Sequence, residues 1–307
     1  AHPYYGLLQQ GLVSTTDPVR KTLIAANMER WRWMPHRLGD RHLMVNIATF
    51  EATLWENGLP VRRWPVIVGK TSTPSPIFAA SIRGVILNPW WEIPDSIVRE
   101  SVAKMMRTRP AEARRKGYVI EGGRYRQRPG PDNSLGQMKL VMPNPHNVYL
   151  HDTPSRQLFQ REVRAFSHGC IRVQDPMSLA VALIGPEGWD EQRIRTALKP
   201  GKTRRIDIAS PVPVFIDYRT ASIDSDGRLL LYPDIYEYDR NGIADPRGVT
   251  APTYKPKNTD GRRTPRESNP LYEAYDPNRP GGSTAPQNVY EAYDPNAAAG
   301  SRTSATN

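Results

Sequence analysis

From Leu43 onward, apolar residues recur at every second position (Leu43, Val45, Ile47, then Phe50, Ala52, Leu54), and Asn57-Gly58 separates them from Val61 and Val66. A period of two puts alternate side chains on opposite faces of an extended chain, and Asn-Gly is a two-residue hairpin signal, so this stretch predicts a β-meander. Further strands are predicted at Gly84–Asn88, Tyr118–Glu121, Met138–Met142 and Asn147–His151, the last two joined by a Pro-Asn-Pro-His turn. The hydrophobic repeat of residues 18–34 (Leu23, Ile24, Met28, Trp31) fits an amphipathic helix instead, whose tryptophans read as core. Asp175-Pro176 reads as a cap and first turn of a helix through Leu183, followed by a helix from Asp190 to Leu198. Strands Arg205–Ile208 and Val212–Tyr218 and a hairpin around Asp226-Gly227 complete the folded part, which the pattern ends near residue 246.

Between the strands, residues 95–117 read as a helical insertion with Ile97, Val98, Val102, Met105 and Met106 on one side. Its other side is basic: from Arg99 to Arg128 ten Lys or Arg stand against three Glu. Such a face is either a solvated helix surface or a lid turned toward an anionic substrate. The net charge of +11 favours an anionic partner, and without a recognisable nucleic-acid module nucleic acid is not expected. Residues 251–307 are rich in Pro, Asn, Gly, Ser and Thr, with too few aliphatic residues to offset ordering costs of roughly 1–2 kcal/mol per residue. They predict a disordered tail, in which Tyr-Glu-Ala-Tyr-Asp-Pro-Asn recurs at 272–278 and 290–296 as a linker or a docking motif. No apolar run is long enough to span a bilayer, and the start at Ala1-His2-Pro3 reads as a mature or truncated form.

The chemistry is concentrated in His151 and, after fifteen intervening residues, Ser167-His168-Gly169-Cys170-Ile171-Arg172. Cys170 is the only cysteine, so it forms no internal disulfide, and a thiol beside an imidazole is a nucleophile with a base at hand. Both His151 and His168 qualify for that base. Spacing puts His168 on the same face as Cys170 if the segment is one strand, whereas His151 must be brought in by the fold. Gly169 permits a sharp turn that would aim main-chain N–H groups near Gly169 and Cys170 at an oxyanion. Arg172 suits a substrate carboxylate or holds the cysteine loop. A zinc site would need ligands beyond His151, His168 and Cys170, and no Cys-x-x-Cys or His-x-x-x-His pair supplies them. A papain-like peptidase would place the cysteine before the histidine, opposite to the order here.

At these residues the sequence resembles the L,D-transpeptidase (YkuD domain) family, whose motif is a His, a spacer, then Ser or Thr and His-Gly-Cys. Pro129-Gly130-Pro131-Asp132-Asn133-Ser134-Leu135-Gly136 is similar to the family's segment ending in Leu-Gly, and Asn27–Pro35 and Asn88–Pro94 resemble its larger Gram-negative branch. The resemblance implies an α+β protein: a mostly β catalytic domain (39–210) with a basic helical lid insertion (95–128), an N-terminal helical segment (1–38), a C-terminal β extension (211–250) and the disordered tail (251–307). It implies Cys170 as nucleophile, His151 as base, Ser167, His168 and Gly169 around the oxyanion and acyl pocket, and Tyr149, Trp91 and Arg172 in substrate binding, with no cofactor and no metal. The implied reaction joins peptidoglycan tetrapeptide stems, as donor and acceptor, through a Cys170 thioester with release of D-alanine, in the periplasm of a Gram-negative bacterium and open to acylation by carbapenems. The same acyl-enzyme could pass to a free D-amino acid; water as acceptor would make it an L,D-carboxypeptidase, an outer-membrane protein amine would make it an anchoring enzyme, and a dead site would leave a cell-wall binding protein. Asp152, where many members have Gly, and Arg172, where others have Asn, leave open what orients His151. The ion pair of Cys170 thiolate and His151 imidazolium is a possible ground state.

Overall fold

The computed structural model describes residues 3–224 and 226–241, and the expected tail with its repeat lies outside them. The described chain forms two units, residues 39–217 and residues 3–38 together with 218–241.

The larger unit is built on a nine-stranded sheet in the order Ala165–Ser167, Leu59–Gly69, Ile171–Val173, Leu150–His151, Met138–Val141, Phe78–Leu87, Arg204–Asp217, Arg41–Asn46, Glu51–Glu56. Leu59–Gly69 also pairs with Glu51–Glu56 around the Asn57-Gly58 turn, so the order closes on itself. The alternating residues form the core, with Leu43, Val45, Ile47, Ala52, Val66 and Val68 almost wholly buried. Each buried Leu, Val or Ile side chain among them contributes roughly 1.5–3 kcal/mol, which anchors the register. Helix Pro176–Ile184, capped by Asp175 through Ser178 N–H, adds Leu179, Leu183 and Ile184 to that core.

Three expectations change. Arg204–Asp217 is one strand that runs through position 210, the boundary predicted between catalytic domain and C-terminal extension. A register shift between Asp207 and Val212 absorbs the break in alternation that reads as two strands. The strand expected over 147–151 shrinks to Leu150–His151, because the turn after Pro145 carries Asn147 at φ +53°. The insertion is helical only from Asp95 to Arg115, with a π-turn at Val98–Val102 and a break at Arg109. Its remainder pairs Tyr118–Glu121 with Arg124–Gln127, and the latter with Trp91–Glu92.

The N-terminal segment and the residues after the long strand, expected as separate pieces, make up the smaller unit. Its two longer helices are Pro3–Ser14, which the weakly periodic sequence did not indicate, and Pro18–Arg32, capped by Asp17, with a single turn at Tyr238–Asn241. Asn27 Nδ2 donates to Thr220 Oγ1 at 3.0 Å while Asn27 Oδ1 accepts from Thr220 N–H at 2.8 Å. Arg30 forms a buried ion pair with Asp239 at 2.7 Å. Trp31 is core, as its spacing suggested, and the Arg219 guanidinium lies 4.1 Å from its ring centre. The Asn27–Pro35 run therefore serves this packing.

Candidate active site

Strand Ile171–Val173 lies parallel to Leu150–His151, with Ile171 opposite Leu150 and Arg172 opposite His151. Ile171 N–H donates to Tyr149 O at 3.0 Å, which carries the pairing one residue further back. Leu150 and Ile171 are fully buried in the core, so by alternation Tyr149, His151, Cys170 and Arg172 share the other face. The adjoining strand puts Lys139 opposite His151 on its second side.

Of the two candidate histidines, His151 is the one this register places beside the cysteine. Its Nδ1–H donates to the Asp152 carbonyl at 2.5 Å, which leaves Nε2 unprotonated and able to take a proton. The residue that orients His151 is thus Asp152, acting through its main chain. The Asp152 carboxylate is engaged elsewhere, accepting from Gln137 N–H at 2.7 Å, from Thr153 N–H at 2.6 Å and from Arg156. A Cβ on Gly136 would collide with that carboxylate, and Gly136 has φ +59°. The Leu135-Gly136 motif is therefore the glycine seat on which the base-holding turn rests.

His168 is placed differently from the single-strand reading. Gly169 at φ +108° interrupts the chain between strands Ala165–Ser167 and Ile171–Val173, so the rule that residues two apart share a face does not apply. The His168 Nε2–H donates to Glu100 of the insertion at 2.9 Å, and Lys70 Nζ lies 3.5 Å from the same carboxylate. Gly169 N–H is engaged by Ser167 Oγ at 3.1 Å, so it is not one of the donors free for an oxyanion. Ser167 Oγ in turn donates to Cys170 O at 2.5 Å, and Ser75 Oγ donates to Gly169 O at 2.7 Å. These bonds clamp the loop that presents the thiol. The amide that faces the cysteine sulfur is that of Tyr149.

The Tyr149 side chain lies beside Cys170 and Trp91, and burial raises its pKa. Trp91, expected to touch substrate, is instead 8% exposed and packs with Ile93, Val102 and Leu135 in the core of the insertion, against which Tyr149 also lies. It is a support for Tyr149, because the short strand Trp91–Glu92 turns its indole inward.

Burial pushes the Cys170 thiol above its ordinary pKa, against the opposing pull of the Tyr149 amide, Lys139 and Arg172. Burial, with Arg172 and Lys139 adding to it, lowers His151 to about 3. Both shifts favour neutral thiol and neutral imidazole over the ion pair allowed by the sequence. Among the described residues no group of three His, Cys, Asp or Glu is arranged to hold a metal ion.

Residues 40–190, within the larger unit, match the family described as the L,D-transpeptidase catalytic domain, YkuD. These residues belong to the YkuD family of L,D-transpeptidase catalytic domains. A Haemophilus influenzae protein named "Putative L,D-transpeptidase" is 35% identical over 240 residues, which cover 71% of this chain and 48% of that protein. The chain thus spans about half the length of the curated relative it matches. Among solved structures, an L,D-transpeptidase from Mycobacterium smegmatis aligns with TM-score 0.32 and 12% identity over 58% of each chain. L,D-transpeptidase 3 from Mycobacterium tuberculosis, in complex with a faropenem-derived adduct, aligns with TM-score 0.31 and 14% identity over 58% of this chain and 60% of that one.

Proposed function

We propose that this YkuD domain forms 3→3 cross-links between peptidoglycan stems through a thioester on Cys170, working in the periplasm. The observation that carries the reading is the placement of Cys170 and His151 on one face of neighbouring strands, with His151 Nε2 left unprotonated by the bond from Nδ1 to Asp152 O.

In the acylation step the Cys170 sulfur attacks the carbonyl between diaminopimelate and the terminal D-alanine of a tetrapeptide. Its proton passes to His151 Nε2, and the carbonyl oxygen becomes an oxyanion facing the main-chain amides of Cys170 and Tyr149. Donors of this kind are worth roughly 3–4 kcal/mol each when they are aimed at developing charge. Collapse breaks the C–N bond, and His151 returns the proton to the departing amine of D-alanine. A diaminopimelate amine of a second stem then attacks the thioester and gives its proton to His151. The C–S bond breaks, and the thiol recovers that proton. No cofactor enters, and atoms and charge balance over the cycle.

The test is mass spectrometry of the full chain incubated with a disaccharide-tetrapeptide, beside Cys170→Ala. A dimer lighter by one D-alanine, lost in the alanine variant, supports cross-linking. Tripeptide alone would replace it with carboxypeptidase action, and turnover by Cys170→Ala would end the covalent reading altogether.

A further inference from the structure

Two cations stand beside the base without an anion. Lys139 and Arg172 occupy the positions directly opposite His151 on the strands to either side, so all three side chains leave the sheet on one face. Both are half-buried, and burial lowers the pKa of each. Among the described residues neither forms an ion pair. Glu92, the one carboxylate whose charge Lys139 feels, is itself bonded to Arg126 at 2.7 Å. Lys139 instead rests on the Tyr149 ring, 4.5 Å from its centre, and both cations are close enough to feel charge on Cys170. Two half-buried positive charges without an ion-pair partner favour an anion beside them; in the free enzyme the Cys170 thiolate can supply it, but once the sulfur is acylated only a ligand can.

The place of the cations says which part of the ligand that is. His151 hands its proton to the leaving amine and takes one from the attacking amine, so both nitrogens come within about 3 Å of Nε2. In D-alanine, and at the D-centre of diaminopimelate, the carbon that bears this amine also bears a carboxylate. Its oxygens are only two bonds beyond that carbon and fall within reach of side chains whose Cβ atoms are about 5 Å from that of His151. We propose that Lys139 and Arg172 form one carboxylate receptor that admits an amine to His151 when it belongs to an α-amino acid with a free carboxyl group. The receptor serves departure and attack alike, since the two steps are chemically the reverse of each other. The inference rests on the acyl-transfer reading above, and it commits the acceptor to an amino acid or stem amine in preference to water or a lysine side chain of a protein. A bound carboxylate also offsets the two charges that depress His151, so the base strengthens when the correct partner is seated.

The test is an exchange assay with a soluble tetrapeptide donor and, as acceptor, D-methionine or D-methioninamide, in the intact chain and in Lys139→Gln, Arg172→Gln and Lys139→Arg. Products and the Cys170 acyl-enzyme are read by mass spectrometry. The wild type should favour the acid over the amide, and either Gln variant should reduce that preference roughly ten- to a hundredfold, chiefly through acceptor KM, with Lys139→Arg retaining most of it. A general effect on thiol acidity or folding scales both acceptors alike and cancels from the ratio. An unchanged ratio in the variants, or equal use of both acceptors by the wild type, overturns the receptor. Failure of the wild type to form any acyl-enzyme would instead overturn the acyl-transfer reading, so the two failures are distinguishable.

Discussion

The Glu100 carboxylate accepts a hydrogen bond from His168 Nε2 at 2.9 Å, which ties the π-turn of the helical insertion to the loop presenting Cys170. The tie gives the His of His-Gly-Cys a role in holding the insertion, and Lys70 completes the cluster from the strand-end loop. The hydrogen bond from His168, with its charge and that of Lys70, keeps the Glu100 carboxyl below its usual range, so the tie persists into mild acid. Glu100→Ala should speed tryptic cleavage within 99–116 and lower kcat/KM for stem peptides several-fold. Acylation of Cys170 by a carbapenem, which is smaller than a stem, should change by less than twofold. Equal losses for both would place Glu100 in the chemistry instead.

The neutral resting pair has a kinetic signature. With Cys170 raised and His151 lowered, alkylation by iodoacetamide should climb along a single limb above neutral pH, without the plateau from pH 5 to 7 that an ion pair gives. A plateau in that window would show a thiolate-imidazolium ground state.

The same histidine links folding to pH. An unfolded imidazole binds its proton near pH 6.5, whereas folded His151 holds none until about pH 3. Between those values the unfolded chain carries the extra proton, so stability falls as pH drops, by up to about 1.4 kcal/mol per pH unit from this group. His151→Gln should flatten that acid limb in urea titrations from pH 4 to 7, and an unaltered slope would assign it to other groups.

Asp152 separates its two functions by atom. Asp152→Ala leaves the carbonyl that holds His151 but strips partners from Gln137 N–H, Thr153 N–H and Arg156. A loss of about 1–3 kcal/mol in unfolding free energy is expected, with kcat within about tenfold of wild type. A collapse of kcat with stability unaltered would mean that the carboxylate acts on the base directly.

In the smaller unit, Arg30→Ala should cost about 3–5 kcal/mol, because it strands Asp239 without its cation in a buried site. The double change Arg30→Met, Asp239→Leu should recover part of that loss. Additive losses in the double variant would show that the pair is not coupled.

Local chemistry made a large share of this protein legible in its sequence. A period of two marks strands wherever one face is buried, Asn57-Gly58 demands a hairpin, Asp175-Pro176 starts a helix, and a lone cysteine after His-Gly announces a nucleophile. Such signals act over a few residues, which is why they survive without a fold. The family motif already named His151 over His168, but the physical reason for that choice, the use of the Asp152 carbonyl, the inward turn of Trp91 and the meeting of Lys139 with Arg172 were decided elsewhere. Each depends on which strand lies beside which and in what register, and that is set by burying Leu150, Ile171 and their neighbours together. Lys139 shows the limit: in Met138-Lys139-Leu140-Val141 it is one polar position of a strand, and only pairing to a distant histidine turns it into part of a site.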